Sequence, residues 1–191
     1  MDEGRLVRVS RFLSKHLRHQ PERIGLTLAP GGWVTVDELL AACARAGMSL
    51  SQAELDEVVA RNNKQRFAFD ESGTRIRASQ GHSVPVDLEL APREPPATLY
   101  HGTGANAVAA IQREGLRKMR RHHVHLSPDV VTAVMVGRRH GRPVVFAVDA
   151  AAMRRDSYTF FRSENGVWLV DTVPPAYLRI VDEPATRDAR A

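Results

Sequence analysis

Four prolines crowd into one stretch of the chain, "VPVDLELAPREPPATLY", as Pro85, Pro92, Pro95 and Pro96. Each proline ring fixes φ and removes a backbone donor, so neither a helix nor an internal strand can run through the stretch. It reads as an extended connector, and a chain broken in this way folds as two halves. With 191 residues, 43% of them hydrophobic, each half is long enough to hold a core of its own.

The two halves carry different patterns. Before the prolines, Leu6, Val9, Leu13 and Leu17 recur at helical spacing, and two capping boxes, Thr35 with Glu38 and Ser51 with Glu54, open two further helices. Phe67 and Phe69 then alternate, Gly73 lies in a turn, and Thr74 to Ala78 return as a second strand. Three helices and a hairpin predict a winged helix. After the prolines, the β-prone runs "TLYH", "VHLS", "PVVFAVD", "YTFF", "GVWLV" and "YLRIV" alternate with two helical stretches, "ANAVAAIQREGL" and "PDVVTAVMVGRRHG". The expected class is α+β, with a lobe over 1–84, a linker over 85–97, a strand-rich lobe over 98–184 and a tail over 185–191. The terminal "EPATRDARA" is expected to fray.

The net charge of +5 favours a polyanionic partner. No stretch approaches the roughly 18 uninterrupted apolar residues of a membrane span, and "MDEGRLVRVSRF" has no apolar signal core, so a cytoplasmic protein without a membrane partner is expected. The single Cys43, in the apolar "LLAACARAG", excludes an intramolecular disulfide and predicts a buried structural thiol.

Polar chemistry gathers in four places: Arg18 and His19 in "LRHQP", Arg66 in "NNKQRF", His101 and Thr103 in "YHGT", and Arg121, His123 and His125 in "RRHHVHLS". Three arginines on separate segments can clamp one phosphate with their bidentate forks, and His19 beside them can move a proton near neutral pH. The His-Val-His spacing puts His123 and His125 on one strand face, but no neighbouring carboxylate or cysteine completes a metal site, so none is expected. "YHGTGAN" invites a phosphate-loop reading, since it runs from a strand into a helix and its glycines let a ligand approach the backbone. It lacks the lysine of a P-loop and the spacing of a dinucleotide fingerprint.

In order along residues 5 to 181, "LSKHLRHQP", "GWVTVDELL", "NNKQRFAF", "RIRASQGHS", "LYHGT", "HVHLS", "VGRRHG" and "NGVWLVDTVPPAYL" resemble the RNA 2′-phosphotransferases of the Tpt/KptA family. The resemblance implies a winged-helix lobe followed by an ADP-ribosyltransferase-like lobe, with NAD⁺ consumed as a substrate rather than kept as a cofactor. It implies that an internal RNA 2′-phosphate attacks the nicotinamide ribose to form 2′-phospho-ADP-ribosylated RNA, releasing nicotinamide. Transesterification then yields 2′-OH RNA and ADP-ribose 1″,2″-cyclic phosphate.

By the same resemblance, Arg18, His19, Arg66 and Arg121 form the catalytic tetrad, and His101, Gly102, Thr103, His125, Ser127 and Val167 bind NAD⁺ in a site shared between the lobes. Where related ADP-ribosyltransferases carry a glutamate, this chain has Val167. A phosphate is already an anionic nucleophile and needs no carboxylate to activate it. The implied partner is RNA bearing an internal 2′-phosphate, tRNA splicing being the family's eukaryotic setting, and the protein is expected to act as a monomer. Two alternatives stand beside this reading: an ADP-ribosyltransferase that stops after one step on a nucleic-acid terminal phosphate or a protein, and a non-catalytic winged-helix binder of nucleic acid.

Overall fold

A computed structural model describes residues 1–62 and 65–181, so the terminal segment expected to fray lies outside the described residues. The class is α+β, and the chain divides into two units. Unit 1 comprises Met1–Ala91 together with two short excursions, Met119–His122 and Arg162–Gly166; unit 2 holds the remainder.

Unit 1 begins with helix α1 (Glu3–Arg18), capped by the Asp2 side chain, which accepts from the Arg5 N–H. Its buried stripe contains Leu6, Val9, Leu13 and Leu17, the positions picked out by the periodicity, and also Ser10 and His16. Both capping boxes form: Thr35 opens α2 (Val36–Arg45) and Ser51 opens α3 (Gln52–Ala60). Each reciprocal pair satisfies backbone N–H groups that a helix start otherwise leaves without partners. The hairpin is present as β2 (Phe67–Phe69) and β3 (Arg75–Ala78). A third strand, β1 (Trp33–Thr35), pairs antiparallel with β3 to give the order β1-β3-β2. The core joins Leu13, Leu17, Leu39, Leu55, Phe67 and Ile76, and Cys43 lies within it, fully buried. Burial pushes that thiol up to about 11.

Unit 2 is built on two three-stranded sheets. In one, β7 (Pro143–Asp149) lies between β4 (Thr98–Gly104) and β11 (Leu178–Ile180), antiparallel to both. In the other, β9 (Trp168–Val170) lies between β6 (Val124–Leu126) and β8 (Phe160–Arg162). An isolated bridge between Tyr100 and Ser127 ties the first sheet to the second, with each backbone N–H donating to the other's carbonyl at 2.9 and 2.7 Å. A two-stranded ladder joins β5 (Leu116–Arg117) to β10 (Thr172–Val173). The helices are α4 (Val108–Glu114), α5 (Val130–Gly137) and α6 (Ala150–Arg155). Leu99, Leu126, Val148, Met153, Phe160 and Trp168 share the core. No described helix is long and apolar enough to cross a membrane.

The glycines of "YHGTGAN" are not a loop. They sit inside β4, which stays paired with β7 as far as Gly104 opposite Pro143. A Cβ on Gly102 would lie 1.7 Å from the Ala133 carbonyl oxygen, and one on Gly104 would lie 2.2 Å from that of His140. The glycines let α5 and the turn after it press directly on the strand, a packing reason for two residues without side chains.

Candidate functional site

Unit 1 brings Arg18, His19, Arg66 and Arg121 into one electrostatic neighbourhood. Arg18 is the last residue of α1, and His19 is its C-cap at φ −128°, ψ −33°. Lys15, His16 and Arg18 fall in the last turn, where the negative end of the helix dipole favours cations. The Arg18 guanidinium donates through Nη2 to the carbonyl of Arg66 at 3.4 Å, and its Nε is buried without a hydrogen-bond partner. Burial first, then the positive charges of Arg66 and Arg121, bring Arg18 down to about 10. His19 is lowered from its ordinary value by burial, Arg18 and Arg121, in that order. A buried cation beside two others, with a donor left over, is unfavourable by itself and becomes favourable when an anion enters.

Arg66 is held by its own loop. Its Nη1 donates to the Asn62 side chain at 3.1 Å, and Gln65 before it adopts φ +41°, a left-handed conformation that costs energy for a residue with a side chain. Arg121 belongs to unit 1 through the Met119–His122 excursion, although it lies well beyond the prolines in sequence.

The "RIRASQGHS" segment supplies residues to which the sequence reading gave no role. Ser79 donates its N–H to the Arg66 carbonyl at 2.9 Å and its hydroxyl to the Gln65 carbonyl at 3.0 Å. Four residues on, Ser83 donates its N–H to the Arg18 carbonyl, and its Oγ lies 2.9 Å from His19 Nδ1. The short run 79–83 therefore grips the backbone of both "RH" and "QRF". Between the two serines, His82 is 1% exposed, and neither of its ring nitrogens has a hydrogen-bond partner. Burial, then Arg18, His122, His19 and Arg77, push it down to about 3, so it stays neutral. The signal available in the sequence was the pair of serines flanking a glycine-histidine, which proposes a turn but not its partners.

Arg77 and Arg75 on β3 lie over the Trp33 ring, with guanidinium carbons 4.4 and 5.4 Å from its centroid. Arg77 is also paired with Glu164 of the second excursion.

Unit 2 gathers a second group. His101 and Thr103 alternate onto one face of β4 and Gly102 onto the other, toward α5. His101 donates its Nδ1–H to the His125 carbonyl at 3.1 Å, which fixes that ring's tautomer. Ser127 and Thr103 are buried, and Val167 directly precedes β9, the strand that pairs with β6. His101, Gly102, Thr103, His125, Ser127 and Val167 thus lie in or beside three adjoining strands, with Gly102 also giving α5 its close approach. His123 is not on the strand with His125: β6 starts at Val124, and the His123 ring packs instead against Phe161 at 5.4 Å. Among the described residues, no group of three or more His, Cys, Asp or Glu is placed to hold a metal ion.

Residues 4–172 match the family model described as RNA 2′-phosphotransferase, Tpt1 / KptA family. The chain is 60% identical over 182 residues to a protein of Trichormus variabilis named probable RNA 2′-phosphotransferase, covering 95% of this chain and all of that one. It is 61% identical over 185 residues to one of the same name from Streptomyces griseus, covering 93% of this chain and 98% of the relative. A Flavobacterium johnsoniae protein, again of that name, is 52% identical over 178 residues, covering 93% and 98%. With most of its length matched by the family model and relatives aligned nearly end to end, the chain belongs to the RNA 2′-phosphotransferase, Tpt1 / KptA family.

Proposed function

We propose that this protein removes an internal RNA 2′-phosphate in an NAD⁺-dependent reaction of two steps. The observation that carries the reading is the crowding of Arg18, His19, Arg66 and Arg121 in unit 1, where burial and the charges of Arg66 and Arg121 lower the proton affinity of Arg18 and a buried Arg18 nitrogen has no partner. Such a cluster suits a dianionic phosphate ester. Unit 1 is read as the winged-helix lobe. Unit 2 is read as the ADP-ribosyltransferase-like lobe, with His101, Thr103, His125, Ser127 and Val167 toward NAD⁺.

In the first step a 2′-phosphate oxygen bonds to the anomeric carbon of the nicotinamide ribose, and the glycosidic C–N bond breaks. Nicotinamide leaves with the bonding pair as a neutral molecule. The arginines align the phosphate, and alignment is most of what this step needs, because nucleophile and leaving group are both already activated. In the second step the ribose 2″-hydroxyl bonds to phosphorus and gives up its proton, the P–O2′ bond breaks, and the RNA 2′-oxygen takes a proton. His19 serves this transfer, and Arg18, Arg66 and Arg121 neutralise charge on the phosphoryl oxygens. The products are 2′-OH RNA and ADP-ribose 1″,2″-cyclic phosphate. The protein works in the cytoplasm as a monomer.

The test is to incubate the protein with NAD⁺ and an oligonucleotide carrying one internal 2′-phosphate, and to weigh the RNA and nucleotide products. Loss of the phosphate with release of nicotinamide and the cyclic phosphate supports the reading. Stable ADP-ribosylated RNA as the end product would make it a one-step transferase, and no nicotinamide release would make it a binder.

A further inference from the structure

We infer that Ser83 is a positioning residue for His19: its hydroxyl holds the imidazole proton on Nδ1, which leaves Nε2 as the nitrogen that exchanges a proton with substrate. The inference deepens the proposed function, on which it rests for the step that His19 serves.

Two hydrogen bonds on adjacent residues define the arrangement. The Ser83 N–H donates to the Arg18 carbonyl at 2.9 Å, and Ser83 Oγ lies 2.9 Å from His19 Nδ1. The first bond takes up one of the carbonyls that a helix end leaves without an intrahelical donor, and so pins Ser83 beside α1. The second then meets a ring whose backbone is already set by the C-cap. Ser83 itself is anchored within the Ser79–Ser83 run, whose other end is bonded to Gln65 and Arg66, and beside it His82 is buried. The hydroxyl is therefore in a fixed place when the ring arrives.

The tautomer matters because His19 is neutral at neutral pH. Burial, Arg18 of its own helix and Arg121 of the excursion all disfavour its charged form, and neutral His82 of the adjoining segment adds no compensating anion. A neutral imidazole left to itself favours the proton on Nε2, which would block that nitrogen as a base. Which nitrogen carries the proton is decided by the bond the other one makes. A serine hydroxyl can also donate to a bare Nδ1, but that bond must reverse when the ring becomes an imidazolium. An oxygen that accepts from Nδ1–H keeps its bond in both the neutral ring and the imidazolium. The bond thus persists when Nε2 takes the proton of the ribose hydroxyl and when it returns one to the RNA 2′-oxygen.

Ser83 is exposed, and its backbone bond does not need the hydroxyl, so Ser83→Ala should fold. The experiment reads the ring nitrogens of His19 by nitrogen-15 NMR in the full chain without substrate, with His19→Gln to assign them. Wild type and Ser83→Thr are expected to show Nδ1–H, and Ser83→Ala to shift toward Nε2–H. In single turnover with 2′-phosphorylated RNA, Ser83→Ala should slow the second step about tenfold, the worth of one hydrogen bond to a charged group. The first step should change less than about twofold, and Ser83→Thr should restore the second. An Nε2–H ring in wild type, an unchanged tautomer in Ser83→Ala, or an unaffected second step each overturn the inference. If wild type leaves the 2′-phosphate in place, it is the proposed function that falls, and the spectra still decide the tautomer.

Discussion

The guanidinium of Arg18 reaches the backbone carbonyl of Arg66, 48 positions later in the sequence, at 3.4 Å through Nη2. The contact places the positive charge of Arg18 against the Arg66 backbone, and it does so with a carbonyl rather than with a carboxylate. An acidic partner would neutralise the arginine and leave nothing for an incoming anion. A neutral carbonyl orients the fork and leaves its charge uncompensated.

On the proposed two-step reaction, that arrangement predicts unequal damage. His19→Ala is expected to slow the second step by about 100-fold or more, the usual worth of general acid–base catalysis, while the first step is much less affected. The measurement is a single-turnover time course with NAD⁺, in which 2′-phospho-ADP-ribosylated RNA should accumulate. Equal loss of both steps with no trapped intermediate would show that the residue mainly holds RNA.

His82 predicts how stability varies with pH. Its folded value of about 3 lies below the ordinary 6.5, so between these values the unfolded chain binds a proton that the folded protein refuses. The contribution is fully present above pH 6.5 and is lost as pH falls through the window, at up to about 1.4 kcal/mol per pH unit. Urea titrations at pH 7.5, 6 and 5 should show this slope, and His82→Asn should flatten it. Parallel curves for the two proteins would assign the acid sensitivity to other groups.

Gly102→Ala should destabilise the protein by about 3 kcal/mol or more, because the new Cβ meets backbone of α5 rather than a movable side chain. Gly47→Ala is the control: it meets nothing within 4 Å and bears only the penalty of φ +78°, about 1 kcal/mol. Thermal unfolding of the two variants separates steric overlap from backbone strain.

Cys43 should resist alkylation in the native state. It is fully buried, and burial holds its thiol at about 11, far from the reactive thiolate. Modification by iodoacetamide should become rapid only in urea and should follow the unfolding transition. Fast labelling of the folded protein would mean that α2 opens locally.

The features legible in the sequence were those with a local cause. The capping boxes at Thr35 and Ser51, the stripe from Leu6 to Leu17, and the Phe67/Phe69 alternation each state their element within a few residues, and each element forms. Trp33–Thr35 had no such signal: three residues make a strand only because β3, some forty positions later, offers its free edge. The same limit hid Ser79 and Ser83, whose roles consist of hydrogen bonds to distant backbone. The close approach of α5 to Gly102 was likewise hidden, because a glycine needed for a helix contact and one needed for a ligand look alike until the helix is seen. His123 and His125 failed to share a strand face because β6 begins one residue later than the alternation assumed.

The two excursions into unit 1 bear on recombination between relatives. Arg121 and Glu164 are encoded downstream of Pro92, yet their neighbours Arg18 and Arg77 are encoded upstream. A chimaera spliced at the codon for Pro92 would set one parent's Arg77 against the other parent's Glu164, and one parent's Arg18 and Arg66 against the other's Arg121 loop. Workable crossovers must transplant 119–122 and 162–166 along with the amino-terminal parent, so this gene has no single seam at which two parents can be joined.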